Sequence, residues 1–323
     1  MTTTALVFHP QCIEHDSGPG HPESRERIDA LVAAVDADRE LADHVVRREG
    51  RPATESEVLR VHTAEHLARL REAARLARAG DRLVWIDEDT PVSGGSLGAA
   101  LAGAGCAVSA AELVLDGVVG AAFALSRPPG HHASPDRAMG FCLLNNVAVA
   151  VRSVQASGRA RRILVLDLDA HHGNGTQDVF YEDGSVFVVS LHAGSDFPGT
   201  GGAGERGAGP GLGATLNVPL PPQTSARAYR QHYLEALDSA LSSFSPDLVF
   251  LSAGFDCLSG DPESDLMLEP ADLHRLTSDL LERIPRAGKG RVVGVLEGGY
   301  ALDRIGLGLV NMLRALTGLS SAP

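Results

Sequence analysis

Seven short apolar runs recur along this chain: ALVFH, AAFALS, RILVLDLD, VFVVSLH, ATLNVPL, DLVFLSAG and RVVGVLEG. Runs this rich in valine, leucine and isoleucine, with few polar interruptions, suit strands buried on both faces. Longer helical patterns lie between them: ESRERIDALVAAVDAD, TAEHLARLREAARLARAG, residues 96 to 116, ARAYRQHYLEALDSALSSF and PADLHRLTSDLLERI. Pro22, Thr63 and Pro270 read as helix starts. Strand, helix, strand repeated in this way predicts an α/β fold, a parallel sheet covered by helices on both faces. The glycine-rich stretch at residues 197 to 214 has strand-like segments on either side, so it is expected to be an ordered surface loop.

In such a sheet, ligands bind beyond the carboxyl ends of the strands. This chain ends one strand in DLDAHHGNG, another in SAGFDCLSGD and another in LEGGY, while AAFALS runs into RPPGHHASPDRAMGF. Polar residues far apart in sequence therefore converge on one edge.

Within the run ILVLDLDAHHGNGTQ, Asp167, Asp169 and His171 interrupt an apolar strand at every second place, a spacing that aims side chains one way. Buried carboxylates are costly unless paired or bound to a cation. A divalent ion resolves the pattern, and zinc suits a set of histidine and carboxylates with three protein ligands and one open position. The plainer alternative is a hydrogen-bonded network without metal. The third ligand must come from another strand end. Asp256 in SAGFDCLSGD is the best candidate, and Asp261 stays open.

The doublet His131-His132 follows Pro-Pro-Gly on a constrained loop. Histidine suits acid-base work near neutral pH, so one ring could take a proton from water while the other stays charged. Asp167 and Asn174 are available to orient them. Tyr300, after two glycines, could donate a hydrogen bond to a polarised carbonyl oxygen.

Composition narrows the partners. The 323 residues carry a formal net charge of -13, which argues against a phosphate backbone and would welcome a cation. No stretch reads as the roughly 20 apolar residues that cross a bilayer, and MTTTALVFHP lacks the marks of a signal peptide, so no membrane and a cytoplasmic location are expected. Cys12, Cys106, Cys142 and Cys257 show no C-x-x-C spacing and are expected as free thiols.

RPPGHHA, GFCLLNN, LDLDAHHGNGTQ, VVSLH, DFPGTG, SAGFD and LEGGY occur in the order and approximate spacing of the histone deacetylase and acetylpolyamine amidohydrolase family. The chain resembles its class II-like bacterial members from HDSGPGHPESRERI to LEGGY. The resemblance implies a hydrolase of linear amide bonds, built as one deacetylase catalytic domain over residues 1 to 323. Its fold would be a three-layer arginase-deacetylase type with an eight-stranded parallel sheet. It implies one catalytic zinc on Asp169, His171 and Asp256, with His132 as general base and acid, oriented by Asn174. His131 paired with Asp167 would be the electrostatic partner, and Tyr300 would polarise the carbonyl. Phe141 and Phe197 resemble the walls of an acyl-lysine tunnel, with Gly140 beside them, and Asp89 aligns with an acid that holds the substrate's backbone amide. A structural monovalent cation, potassium, is implied at Asp167, Asp169, His171, Ser190 and Leu191.

Two departures from most relatives stand out. Asn174 replaces the aspartate of class I members, as it does in class II-like ones. Glu263 stands at the tunnel rim where most relatives carry leucine or methionine, and the polyamine-deacetylating branch is similar in having glutamate there. Acetyllysine on proteins and acetylated polyamines or other small amines are thus the expected substrates, with no nucleic acid. A two-manganese ureohydrolase would need further aspartate ligands, and a catalytically silent acyl-lysine binding module would be expected to lack Tyr300 or a ligand.

Overall fold

The computed structural model describes residues 3–194, 197–284 and 291–322. Asp196 of the DFPGTG motif lies outside the described residues. In chain order the strands are β1 (Thr4–Phe8), β2 (Val45–Glu49), β3 (Val84–Trp85), β4 (Pro91–Val92), β5 (Ala121–Ala124), β6 (Ile163–Asp167), β7 (Val186–Ala193), β8 (Thr215–Leu220), β9 (Leu248–Ala253) and β10 (Val292–Leu296). The α-helices are α1 (Glu26–Ala37), α2 (Glu55–Val58), α3 (Ala64–Gly80), α4 (Ser96–Leu115), α5 (Asn146–Ala156), α6 (Asn174–Phe180), α7 (Ala226–Ser243), α8 (Pro270–Arg283) and α9 (Leu302–Thr317).

Eight strands form one sheet in the order β2-β1-β5-β10-β9-β6-β7-β8, and every pairing is parallel. β3 and β4 make a separate antiparallel hairpin. Alternate side chains feed two cores. Ile163 and Val165 of β6 join one cluster with Leu248 and Phe250 of β9, while Leu164 and Leu166 join the other with Val249 and Leu251. Both sheet faces are therefore covered, which is why these strands read as unbroken apolar runs. β5, β10, β9 and β6 are consecutive in the sheet, so their carboxyl ends open side by side.

The eighth strand, β2, is absent from the seven runs read in the sequence. It is an edge strand, VVRRE, with Arg47, Arg48 and Glu49 exposed, and charged exposed edges are how sheets avoid further pairing. α5 was hidden too: its sequence NVAVAVRSVQA is β-branched and reads as strand, yet the Asn145 side chain caps it by accepting from the Ala148 N–H. Thr63 and Pro270 start helices as expected. Pro22 does not. α1 begins at Glu26, because Glu23 is drawn into a buried ion pair with Arg127 and the preceding chain turns at Gly18 and Gly20.

α4 corrects the expectation about apolar stretches, since it is long and apolar enough by composition to cross a membrane. Most of that stretch is buried, and the helix packs on α5, β5 and β1. Small residues allow it to sit against the loop after β2, where a Cβ on Gly105 would run into the main chain of Arg51, Pro52 and Ala53. Gly105→Val should therefore lower stability by about 1–3 kcal/mol in urea denaturation. Gly98→Ala, whose nearest contact is 3.5 Å away, should stay within about 1 kcal/mol of the parent. Equal losses would contradict the close packing at Gly105.

Candidate active site

Asp167 is the last residue of β6 and lies in register with Ser190 of β7 and Ser252 of β9. Beyond it the chain leaves the strand, so Asp169 and His171 do not share a face by strand alternation, as the spacing suggested. Two side-chain contacts shape the turn instead: Asp167 Oδ1 accepts from the Asp169 N–H at 3.1 Å, and Asp169 Oδ1 accepts from the His171 N–H at 2.9 Å.

The turn brings Asp169 and His171 against Asp256, which follows β9. One donor atom from each lies within 4.8 Å of the others. His171 Nδ1 is 3.2 Å from both Asp169 Oδ1 and Asp256 Oδ2. The remaining oxygens are occupied: Asp169 Oδ2 accepts from the Gly298 N–H at 2.8 Å, and Asp256 Oδ1 from the Ala170 N–H at 2.7 Å. His171 Nε2 faces the Glu263 carbonyl at 3.1 Å, the outward bond expected of a ligating histidine. Asp261, left open by the sequence, is not part of this group. Its Oδ2 accepts from the N–H groups of Tyr300 and Ala301, so it shapes the LEGGY loop.

The electrostatics follow from burial of like charges. Burial and the neighbouring Asp169 push Asp256 up to about 7. Burial alone would depress His171, but hydrogen bonds with Asp169 and Asp256 raise it to about 11. The same two carboxylates would pull on any cation placed between them.

The loop after β5 supplies the doublet. His131 Nδ1 lies 3.1 Å from Asp167 Oδ2, and His132 Nδ1 lies 2.8 Å from Asn174 Oδ1 at the start of α6. The two environments differ. Against the effect of burial, Asp169 and Asp167 raise His131 to about 10. Burial, together with positive charge on His131 and His171, lowers His132 well below its ordinary value. The two imidazoles are thus pushed in opposite directions, His131 toward the charged form and His132 toward the neutral one.

His131, His132, Asp169 and His171 line one pocket of about 130 Å³ with Asp89, Gly140, Phe141, Phe197, Glu263 and Tyr300. Phe197 meets the His132 ring edge-on at 5.0 Å, and Phe141 meets Tyr300 in the same way at 5.7 Å. Gly140 has φ +54, and a Cβ there would come within 2.6 Å of the His132 ring and 2.8 Å of Phe197, so only glycine leaves room between them. The Tyr300 ring lies beneath the Arg27 guanidinium at 4.9 Å, and burial keeps its hydroxyl protonated well above the ordinary range. Asp89 accepts from the Thr90 hydroxyl at 2.8 Å. Glu263 is exposed at the mouth. Leu191 and Ser190 sit on β7, next to the end of β6.

Several residues of the site were not read from the sequence. Glu297, buried just after β10, accepts from the N–H groups of Gly130 and His131. Glu23, Arg27 and Arg127 form a buried ionic cluster in which Arg127 holds the Glu23 carboxyl far below its usual range despite burial. Arg27 donates from there to the carbonyls of Gly299 and Glu297, anchoring the tyrosine loop. His172, second of the other doublet, bonds Thr200 at 2.8 Å and Gln177 at 3.1 Å, and so braces the loop bearing Phe197. The available signal was a charged residue inside an apolar run, which LEGGY shares with LDLDAHH.

The histone deacetylase domain family model matches residues 21–316. The chain is 38% identical over 304 residues to a protein named a probable deacetylase from Archaeoglobus fulgidus, covering 93% of this chain and 82% of that one. It is 36% identical to the histone deacetylase-like amidohydrolase of Pseudomonas aeruginosa, covering 99% and 87%. A crystal structure of the HDA15 HD domain superposes with a TM-score of 0.92 at 34% identity, covering all of this chain and 90% of the other. The eight-stranded parallel sheet is thus the arginase-deacetylase α/β fold, and the chain belongs to the histone deacetylase family.

Proposed function

We propose that this protein is a zinc-dependent amidohydrolase that cleaves the N-acetyl amide of acetyllysine, or of an acetylated polyamine or small amine, to acetate and free amine. One observation carries the reading: Asp169, His171 and Asp256 converge on one another, and Asp169 and His171 line a pocket that also presents His131, His132 and Tyr300. Two carboxylates and one imidazole, each steadied by a second hydrogen bond, fit a catalytic zinc with an open position. When bound there, the ion supplies Lewis-acid polarisation of the acetyl carbonyl and makes the attacking water more acidic. The family kinship and the names of the relatives support the same chemistry.

The protein's own groups divide the rest. Phe141 and Phe197 sheath the acyl chain and exclude water, while Asp89 at the rim receives a substrate N–H. Asn174 accepts from His132 Nδ1–H, which leaves Nε2 as the base that takes a proton from the attacking water. His131 keeps its proton, donates to Asp167 and stabilises negative charge that develops on the carbonyl oxygen. The Tyr300 hydroxyl donates to that oxygen. As the C–N bond breaks, His132 returns its proton to the departing nitrogen. Asp167, Asp169, His171, Ser190 and Leu191 are assigned a structural potassium, whose charge would further offset the buried carboxylates. At the mouth, Glu263 favours a substrate with a second ammonium group.

Rates measured side by side on an acetyllysine peptide and on acetylated putrescine and spermidine test the reading, and hydrolysis of none would overturn it. Tyr300→Phe should keep its metal and lose about 10²-fold or more in kcat. Unchanged turnover would remove its role. Glu263→Leu should lower the polyamine-to-peptide rate ratio, and an unchanged ratio would return Glu263 to a solvated rim residue. Titration calorimetry should find one zinc per chain, lost in Asp256→Ala and kept in Asp261→Ala. Because a proton and a metal compete for His171 Nδ1 and the proton is held up to about pH 11, zinc affinity should rise with pH. The slope should be about tenfold per pH unit for each proton displaced. A flat profile would contradict His171 as ligand.

A further inference from the structure

Glu297 is fully buried, and its polar atoms join four segments. Oε2 accepts from the Gly130 N–H at 2.7 Å and the His131 N–H at 3.1 Å. Its main-chain N–H bonds the Ala253 carbonyl of β9 at 3.0 Å, and its own carbonyl accepts from Arg27. Oε1 has no hydrogen-bond partner among the described residues. A Glu297 oxygen, a ring nitrogen of His131 and Cys142 Sγ lie within 4.8 Å of one another. A buried carboxyl group with one oxygen unsatisfied is costly, so two main-chain bonds alone are a poor return for placing it there.

We propose that Glu297 is the positioning residue of the histidine doublet. Its carboxyl group ties the loop carrying His131 and His132 to the loop carrying Tyr300, three residues further on, so that both imidazoles and the phenol keep one spacing. The Glu297 main chain is itself tied to β9 and, through Arg27, to the buried ionic cluster. The two catalytic loops thus share a single rigid support. Catalytic groups must be held within a fraction of an ångström, and a misplacement of about 1 Å can cost about 10²-fold. The catalytic meaning of this role rests on the amidohydrolase reading, while the tether itself does not.

Glu297→Ala and Glu297→Gln separate the tether from bulk stability. Glutamine keeps an acceptor oxygen for Gly130 and His131, and burial already pushes the glutamate carboxyl up to about 8, so the amide is a close substitute. In hydrogen exchange read by mass spectrometry, the segment 128–134 should exchange about tenfold faster or more in the alanine variant and close to the parent rate in the glutamine variant, one lost hydrogen bond being enough for that change. In the zinc-loaded alanine variant, kcat should fall about 10- to 100-fold with KM within about twofold, and glutamine should restore most of it. Unchanged exchange or unchanged kcat in folded Glu297→Ala would overturn the proposal, as would glutamine performing no better than alanine. If the alanine variant does not fold, Glu297→Asp, which withdraws the oxygens by one methylene, replaces it with the same expected outcomes. If the parent protein hydrolyses no acetyl amide, the functional reading falls, while the exchange result still decides whether Glu297 holds the doublet.

Discussion

Asp167, Asp169 and Asp256 place three carboxyl groups at the end of an apolar sheet with 1%, 1% and 0% of their surface exposed. Isolated carboxylates cannot be buried that deeply without compensation. The surroundings answer the demand oxygen by oxygen. Main-chain N–H groups of Asp169, His171, Ala170 and Gly298 point at them, and His131 and His171 are drawn toward the charged form beside them. A divalent cation completes this balance in the functional reading.

The sheet explains how such groups meet. β5, β10, β9 and β6 are neighbours although they lie far apart in sequence, and each delivers one part: the histidine doublet, the tyrosine loop, Asp256 and the Asp169-His171 turn. Layers further out hold these parts in place. The Glu23, Arg27 and Arg127 cluster grips the tyrosine loop from one side. On the other, His172 and His192 pack 4.8 Å apart, and Glu205 accepts from the N–H groups of Gly201 and Gly202, so the glycine-rich loop behind Phe197 is braced. His131 and His132 are then driven apart by their surroundings: Asp169 and Asp167 draw the first toward its charged form, while burial and the positive charge of His131 and His171 push the second toward its neutral form.

Much of this was legible in the sequence for physical reasons. Central strands are buried on both faces, so RILVLDLD and DLVFLSAG announce themselves, and a carboxylate in such a run signals a ligand or a partner. β2 was not legible because an edge strand needs no apolar alternation, and α5 was not because its β-branched composition is overruled by a cap and by burial. Spacing alone left Asp261 open beside Asp256 and the motif resemblance pointed to Asp256; the fold supplies the physical reason, with Asp256 facing His171 and Asp261 receiving the main chain of Tyr300. Arg27 and Glu297 act across more than a hundred residues through main-chain groups, which carry no side-chain motif.

Anomalous diffraction at the zinc absorption edge, on crystals of protein purified in active form, addresses the central claim most directly. A single peak is expected, bonded by Asp169, His171 Nδ1 and Asp256, with one position open toward the pocket that holds His132 and Tyr300. No peak, a second ion beside the first, or an ion held by other residues would contradict a one-zinc hydrolytic centre.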